Sequence, residues 1–66
     1  MTRYYRIYDE LKQDCGVVDE DGLIDIANKF NTIHSHYDWV DTVSKAKKVI
    51  KEYFNITAKQ INEDEI

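Results

Sequence analysis

The sequence predicts an all-α fold, a compact domain of three or four helices that spans residues 1–66. Two observations support this prediction: apolar residues recur at helical spacing along most of the chain, and no proline and only two glycines interrupt them. A chain of this length buries only about 60 % of its unfolded surface. We therefore expect a small core that gains stability from a partner.

The first predicted helix covers residues 3–14. Its apolar stripe follows the i, i+3, i+4, i+7 template and consists of Tyr4, Ile7, Tyr8, Leu11 and Cys15. Gly16 stands where a left-handed C-cap would end such a helix.

The second predicted helix covers residues 20–31. Asp19 or Asp21 can accept the free backbone N–H groups of its first turn. The neighbouring carboxylates also suit the positive end of the helix dipole. Its apolar stripe consists of Leu23, Ile26, Ala27 and Phe30.

The third predicted helix covers residues 42–54, with Asp41 as its N-cap. Its apolar side is expected to face the core. Its outer face carries four lysines, Lys45, Lys47, Lys48 and Lys51.

The fourth predicted helix covers residues 58–64. Thr57 and Gln60 have the spacing of a capping box, and Ile56 and Ile61 stand at the positions of a hydrophobic staple.

The amino-acid composition excludes several classes of protein. A hydrophobic content of 42 %, with 12 % aromatic residues, is too high for a disordered chain. The apolar runs are too short for a membrane span, so no membrane association is expected. Cys15 is the one cysteine, which excludes an internal disulfide and is typical of a reducing, cytoplasmic environment.

The segment containing His34, His36 and Asp38 resembles the H-x-H-x-D-H metal-binding signature of the metallo-β-lactamase fold. Trp39 replaces the final histidine of that signature. Too few ligands then remain for a tight zinc site.

Residues 17–28 resemble an EF-hand loop, with Gly22 at its sixth position. Val17 and Asn28 stand at the first and twelfth positions, where calcium binding needs carboxylates. We therefore expect neither metal nor cofactor.

No segment carries a recognisable catalytic arrangement. The sequence has no glycine-rich phosphate loop, and Cys15 has no base at a fixed spacing. We expect that the protein is not an enzyme.

The favoured function is binding of another protein. Tyr37 and Trp39 lie in residues 31–41, which show no helical period, and exposed aromatic side chains are typical interface anchors. An electrostatic rim is expected from four acidic residues, Asp19, Glu20, Asp21 and Asp25.

This pattern predicts a small acidic regulator or inhibitor of a host or phage protein, encoded by a phage or mobile element and comparable in class to anti-CRISPR proteins. The acidic segment could imitate phosphate at a nucleic-acid enzyme.

The alternative is a small DNA-binding regulator, excisionase-like or helix-turn-helix-like, that uses the lysine face of residues 45–51. Two features disfavour it. The predicted turn between the second and third helices is longer than the usual three or four residues, and the lysine-bearing helix lacks arginine.

Overall fold

The computed structural model describes residues 3–35 and 37–65, and it has an α+β fold. The prediction of an all-α domain is therefore wrong. In chain order the elements are β1 (Tyr4–Tyr8), β2 (Asp14–Asp19), α1 (Glu20–His34), α2 (Val43–Phe54), β3 (Thr57–Ile61) and a short 3-10 helix (Glu63–Glu65).

The three strands form one antiparallel sheet in the order β2-β1-β3. Burial alternates along the central strand: Tyr5 and Ile7 are buried, whereas Tyr4, Arg6 and Tyr8 are half-buried. This period of two shows that the helices cover one face of the sheet.

Residues 3–14, predicted as a helix, instead include β1, the whole hairpin turn over residues 9–13 and the first residue of β2. Tyrosine and isoleucine favour strands, and β1 carries large side chains on both faces. Its sequence therefore matches a helical period as well as a strand period. In the turn, Asp9 Oδ1 accepts the backbone N–H groups of Leu11 and Gln13, and the Leu11 side chain is 72 % exposed.

Gly16 lies in β2 and does not cap a helix. Its φ of 108° is accessible to glycine and strained for other residues. The β1–β2 register shifts between Ile7 and Tyr8, opposite this position. Gly16 therefore permits a β-bulge at the edge of the sheet.

The start of α1 is confirmed, because Asp19 Oδ1 accepts the N–H of Gly22 at 2.7 Å. The helix runs past its predicted end at residue 31. It ends where Ser35 adopts the left-handed conformation and its N–H donates to the carbonyl of Asn31.

The predicted third helix is present as α2, but Thr42 caps it in place of Asp41. Thr42 Oγ1 accepts the N–H of Lys45 at 3.2 Å. Asn55 ends the helix in the left-handed conformation.

The predicted helix over residues 58–64 is wrong, since Thr57–Ile61 form β3 and only Glu63–Glu65 are helical. Asn55 reverses the chain so that β3 lies in register with β1, with Tyr4 opposite Ile61 and Tyr8 opposite Thr57. Pairing with β1 therefore makes this five-residue segment a strand, although its sequence has the spacing of a helix capping box.

The core lies between the sheet and the helices, and β1, β3, α1 and α2 each supply a buried member, whereas the described residues of β2 and of the 3-10 helix supply none. The buried apolar residues are Tyr5, Ile7, Leu23, Ala27, Val40, Ala46, Val49, Ile50 and Ala58. Neither α1 nor α2 has the length and apolar character that a bilayer crossing requires.

Candidate functional site

Asn28 fixes the segment that joins α1 to α2. Its side chain is buried, and its amide nitrogen donates to the carbonyl oxygen of Val40 at 2.8 Å. The N–H of Val40 donates to Asn28 Oδ1, also at 2.8 Å. Val40 itself is fully buried, so one residue of this connection is anchored in the core against the middle of α1.

Tyr37 provides a second anchor for the same connection. Its hydroxyl donates to the carbonyl of Ala27, and its backbone N–H donates to Asn31 Oδ1 at 3.0 Å. Its ring stacks on Tyr53 with 5.3 Å between centroids. Burial raises the pKa of Tyr37 above its usual value. The predicted interface residue Tyr37 therefore packs largely within the fold.

Trp39 lies between these two anchors and faces solvent. Its side chain is 70 % exposed. Its carbonyl accepts a long hydrogen bond from Lys45 Nζ at 3.4 Å. The backbone that carries Trp39 is thus held on both sides while the indole is left open.

An open groove of about 460 Å³ runs along the adjacent side of α2. Its lining combines aromatic, apolar and charged side chains and includes Tyr37, Lys45, Val49, Glu52 and Tyr53. Because Lys45 also contacts Trp39, the groove and the exposed indole belong to one neighbourhood. We call Trp39, Tyr37, Lys45 and Tyr53 the Trp39 surface.

The predicted acidic rim begins at the end of β2 and continues along α1. Asp19 caps α1, and Glu20 accepts the backbone N–H of Arg3 at 3.1 Å. Asn28, which holds Val40, is eight residues beyond Glu20, or about 12 Å along the helix axis.

Asp21 belongs to the first turn of α1, and Asp25 lies 3.9 Å from Lys29 in an exposed ion pair. The four acidic residues therefore lie at the end of β2 and in the N-terminal half of α1, with Asp25 three residues, or about 4.5 Å along the helix axis, before Asn28.

The predicted four-lysine face is divided. Lys47, Lys48 and Lys51 line a shallow depression of about 700 Å³ together with Arg3, Tyr5 and Gln60. Lys45 instead points to the Trp39 surface. Lys51 Nζ also donates to Asn55 Oδ1 at 3.0 Å, next to the end of α2.

A second depression, of about 530 Å³, follows β3. Its lining consists of Tyr8, Lys12, Lys47, Thr57, Ala58, Lys59 and Gln60. Lys47 and Gln60 belong to both depressions, so the two are continuous. Sequence analysis missed the contribution of Arg3, Lys12 and Lys59, because only the strand pairing brings these distant positions beside α2.

The EF-hand resemblance does not extend to the structure. Residues 17–28 form the end of β2 and the start of α1, and Gly22 is helical. The motif of His34, His36 and Asp38 includes His36, which lies outside the described residues. Among residues 3–35 and 37–65, no group of three histidine, cysteine, aspartate or glutamate side chains is arranged to hold a metal ion.

Comparisons with protein families, curated proteins and solved structures gave no match to this chain.

Proposed function

We propose that this protein is a regulator that binds a partner protein through the Trp39 surface. The observation that carries the proposal is the 70 % exposure of Trp39 on a backbone that Tyr37 and Val40 fasten to α1. Tryptophan is among the residues that most often dominate the binding energy of protein interfaces.

The energetics favour this use of Trp39. A tryptophan side chain buries roughly 150–250 Å² when fully enclosed, which corresponds to about 4–6 kcal/mol of transfer free energy. The anchored backbone removes much of the ordering entropy that a flexible loop would lose on binding. The groove lined by Tyr37 and Tyr53 offers adjoining aromatic surface for the same partner.

We infer that binding regulates or inhibits the partner, and that it takes place in the cytoplasm. The compartment is supported by Cys15, which is exposed and carries a free thiol. Extracellular proteins of this size usually rely on disulfides for stability, whereas a reducing compartment preserves an exposed thiol.

The experiment compares Trp39→Ala with Leu11→Ala. Leu11 is a matched control, since it is 72 % exposed and lies in the β1–β2 turn, away from the Trp39 surface. Tagged proteins would be used to recover partners from a lysate, and each candidate would be purified and its Kd measured by calorimetry. We expect Trp39→Ala to weaken binding at least tenfold, while Leu11→Ala binds like the wild type.

Thermal unfolding of both variants provides the control for folding. Both should melt within a few degrees of the wild type, because neither side chain belongs to the buried core. A partner that binds Trp39→Ala as tightly as the wild type would refute the Trp39 surface. A large loss of stability in Trp39→Ala would show that the indole supports the fold instead.

A further inference from the structure

We infer that the outer edge of β3 is a docking site for an extended, acidic segment of a protein, which adds to the sheet as a fourth strand. We call the site the β3 slot and define it by Arg3, Lys12, Lys47, Lys48, Lys51, Lys59 and the edge of Thr57–Gln60. The lining of the slot shares Ser44, Lys48 and Glu52 with the groove beside Trp39, so the two border each other. The inference uses the edge of β3, which is not part of the Trp39 surface, and does not depend on the proposed function.

Among residues 3–35 and 37–65, β3 pairs with β1 alone, so the outer edge of β3 has no strand beside it. One depression is lined by four consecutive residues of β3, from Thr57 to Gln60. Successive residues of a strand face opposite sides of its sheet, so a depression that touches all four follows the outer edge. Such an edge offers backbone N–H and C=O groups to an added strand.

The charge around this edge is mainly positive. The two continuous depressions are lined by six basic residues and by one acidic residue, Glu52. Lys47, Lys48 and Lys51 approach from α2, on the helix-covered side of the sheet. Lys59 pairs with Arg6 and therefore points toward the other face. A strand added at this edge, with acidic side chains on both of its faces, would therefore have basic side chains opposite each face.

The number and origin of the cations distinguish a binding site from an edge that is only protected against aggregation. A lysine on an edge strand often serves only to discourage aggregation, and Lys59 alone would fit that role. Here Arg3, which precedes β1, Lys12 of the hairpin turn and three lysines of α2 also line the two depressions. Lys47 is placed over the ring of Tyr5, with 5.7 Å from Nζ to the centroid, at the point where both depressions meet.

The observations favour an acidic peptide over a nucleic acid. The chain has a net charge of −4, which opposes broad approach of a polyanion, although a local basic slot can still attract short acidic segments. The lysine-bearing helix α2 contains no arginine, the usual reader of guanine. The slot also follows a backbone edge, whose hydrogen bonds match a peptide strand and not a sugar-phosphate chain.

The test measures fluorescence anisotropy with a labelled eight-residue peptide in which pairs of glutamate alternate with pairs of valine, so that an extended strand carries glutamate on both faces. The comparison ligands are the same peptide with lysine in place of glutamate, a single-stranded DNA and a duplex DNA. We expect the acidic peptide to bind at low salt, the basic peptide not to bind, and affinity to fall as salt rises.

The variant pair is Lys47→Glu and Lys29→Glu. Both replace an exposed lysine by glutamate, but Lys29 lies on α1 beside Asp25, outside the slot. We expect Lys47→Glu to weaken the acidic peptide at least tenfold and Lys29→Glu to weaken it less than threefold. Equal effects of the two variants, or no binding of the acidic peptide by the wild type, would overturn the inference.

Hydrogen exchange on the wild type distinguishes the mode of binding and does not depend on the folding of any variant. An added strand should slow exchange of the outward-facing amides within residues 57–61. If DNA binds more tightly than the acidic peptide and leaves those amides unprotected, the site is a phosphate-binding surface and the strand-addition inference is wrong.

Discussion

Asn28 shows at the scale of one residue how a buried polar side chain positions an exposed one. Its two hydrogen bonds to the backbone of Val40 use both ends of the amide. They hold the residue next to Trp39 against α1, so the geometry of the Trp39 surface depends on a residue that is buried within the fold.

Asn28→Ala should therefore destabilise the fold, because it leaves the N–H and C=O of Val40 buried without their partner. We expect a loss of about 2–4 kcal/mol in the free energy of unfolding, measured by urea denaturation. Lys29→Ala is the control, since the next residue of α1 is exposed, and its effect should stay within about 0.5 kcal/mol. Equal midpoints for the two variants would show that this hydrogen-bonded pair does not hold the segment.

Tyr37 leads to a prediction about pH. Burial disfavours its phenolate and raises its pKa in the folded state above the unfolded value. The stability that this difference contributes is fully present below the unfolded pKa and is lost as pH rises through the folded pKa. The difference in unfolding free energy between the wild type and Tyr37→Phe should stay constant up to about pH 9. Above about pH 10 the wild type should lose stability relative to Tyr37→Phe.

The measurement is urea denaturation of both proteins at a series of pH values from 7 to 11. Tyr53→Phe, which alters the stacking partner of Tyr37, controls for ionisation of the other tyrosines. A gap between wild type and Tyr37→Phe that stays level across pH 10 would contradict the assignment.

At the scale of elements, the helices were predictable and the strands were not. The start of α1 and the span of α2 follow from caps and apolar stripes that lie within each segment, because helix hydrogen bonds join near neighbours. The strand β1 pairs with β3, more than fifty residues away at the Tyr4–Ile61 pair. That pairing leaves no local signal in a five-residue segment.

The same reason limits prediction of the candidate sites. Trp39 could be singled out because it lies, together with Tyr37, in a segment without helical period, and the structure leaves the Trp39 side chain exposed. The β3 slot was not identifiable, since Lys59 was assigned to a helix and Lys12 to the end of another. Only the sheet register brings them to the edge beside Lys47.

Tyr5 and Leu11 test the corrected assignment of residues 3–14. A helix over this segment would place Leu11 on the apolar stripe and Tyr5 off it. In the structure Tyr5 is 2 % exposed on the central strand, while Leu11 is 72 % exposed. Tyr5→Ala should cost about 3–5 kcal/mol, and Leu11→Ala less than about 0.5 kcal/mol. Urea denaturation followed by circular dichroism would measure both, and the reverse ranking would restore the helical assignment.

At the scale of the molecule, charge is distributed unevenly. Three lysines of α2 gather with Arg3, Lys12 and Lys59 along the β3 slot, namely Lys47, Lys48 and Lys51. Acidic residues gather around the junction of β2 and α1. This separation gives the domain two electrically distinct sides despite its modest net charge, and it orients approaching partners at low ionic strength.

The core unites the whole molecule in one cooperative unit. Its members come from the sheet, from both helices and, through Val40, from the segment between them. A two-stranded hairpin is marginal in water, so β1 and β2 need β3 and the helices to remain folded. We therefore expect a single unfolding transition with a free energy of roughly 3–10 kcal/mol, as is usual for about 66 residues.

Ala58→Asp tests this cooperativity, because Ala58 is buried, lies on β3 and faces Ile7 of the central strand. A charge at this position is buried without a partner, so the variant should lose helix and strand signals together. The measurement is thermal unfolding followed in parallel by circular dichroism at 222 nm and by the infrared amide I band of the sheet. Thr57→Asp, at a neighbouring half-buried position that faces the other side of the sheet, is the milder control. If Ala58→Asp melts the strands and leaves α1 and α2 intact, the helices form an independent unit and the shared core does not govern stability.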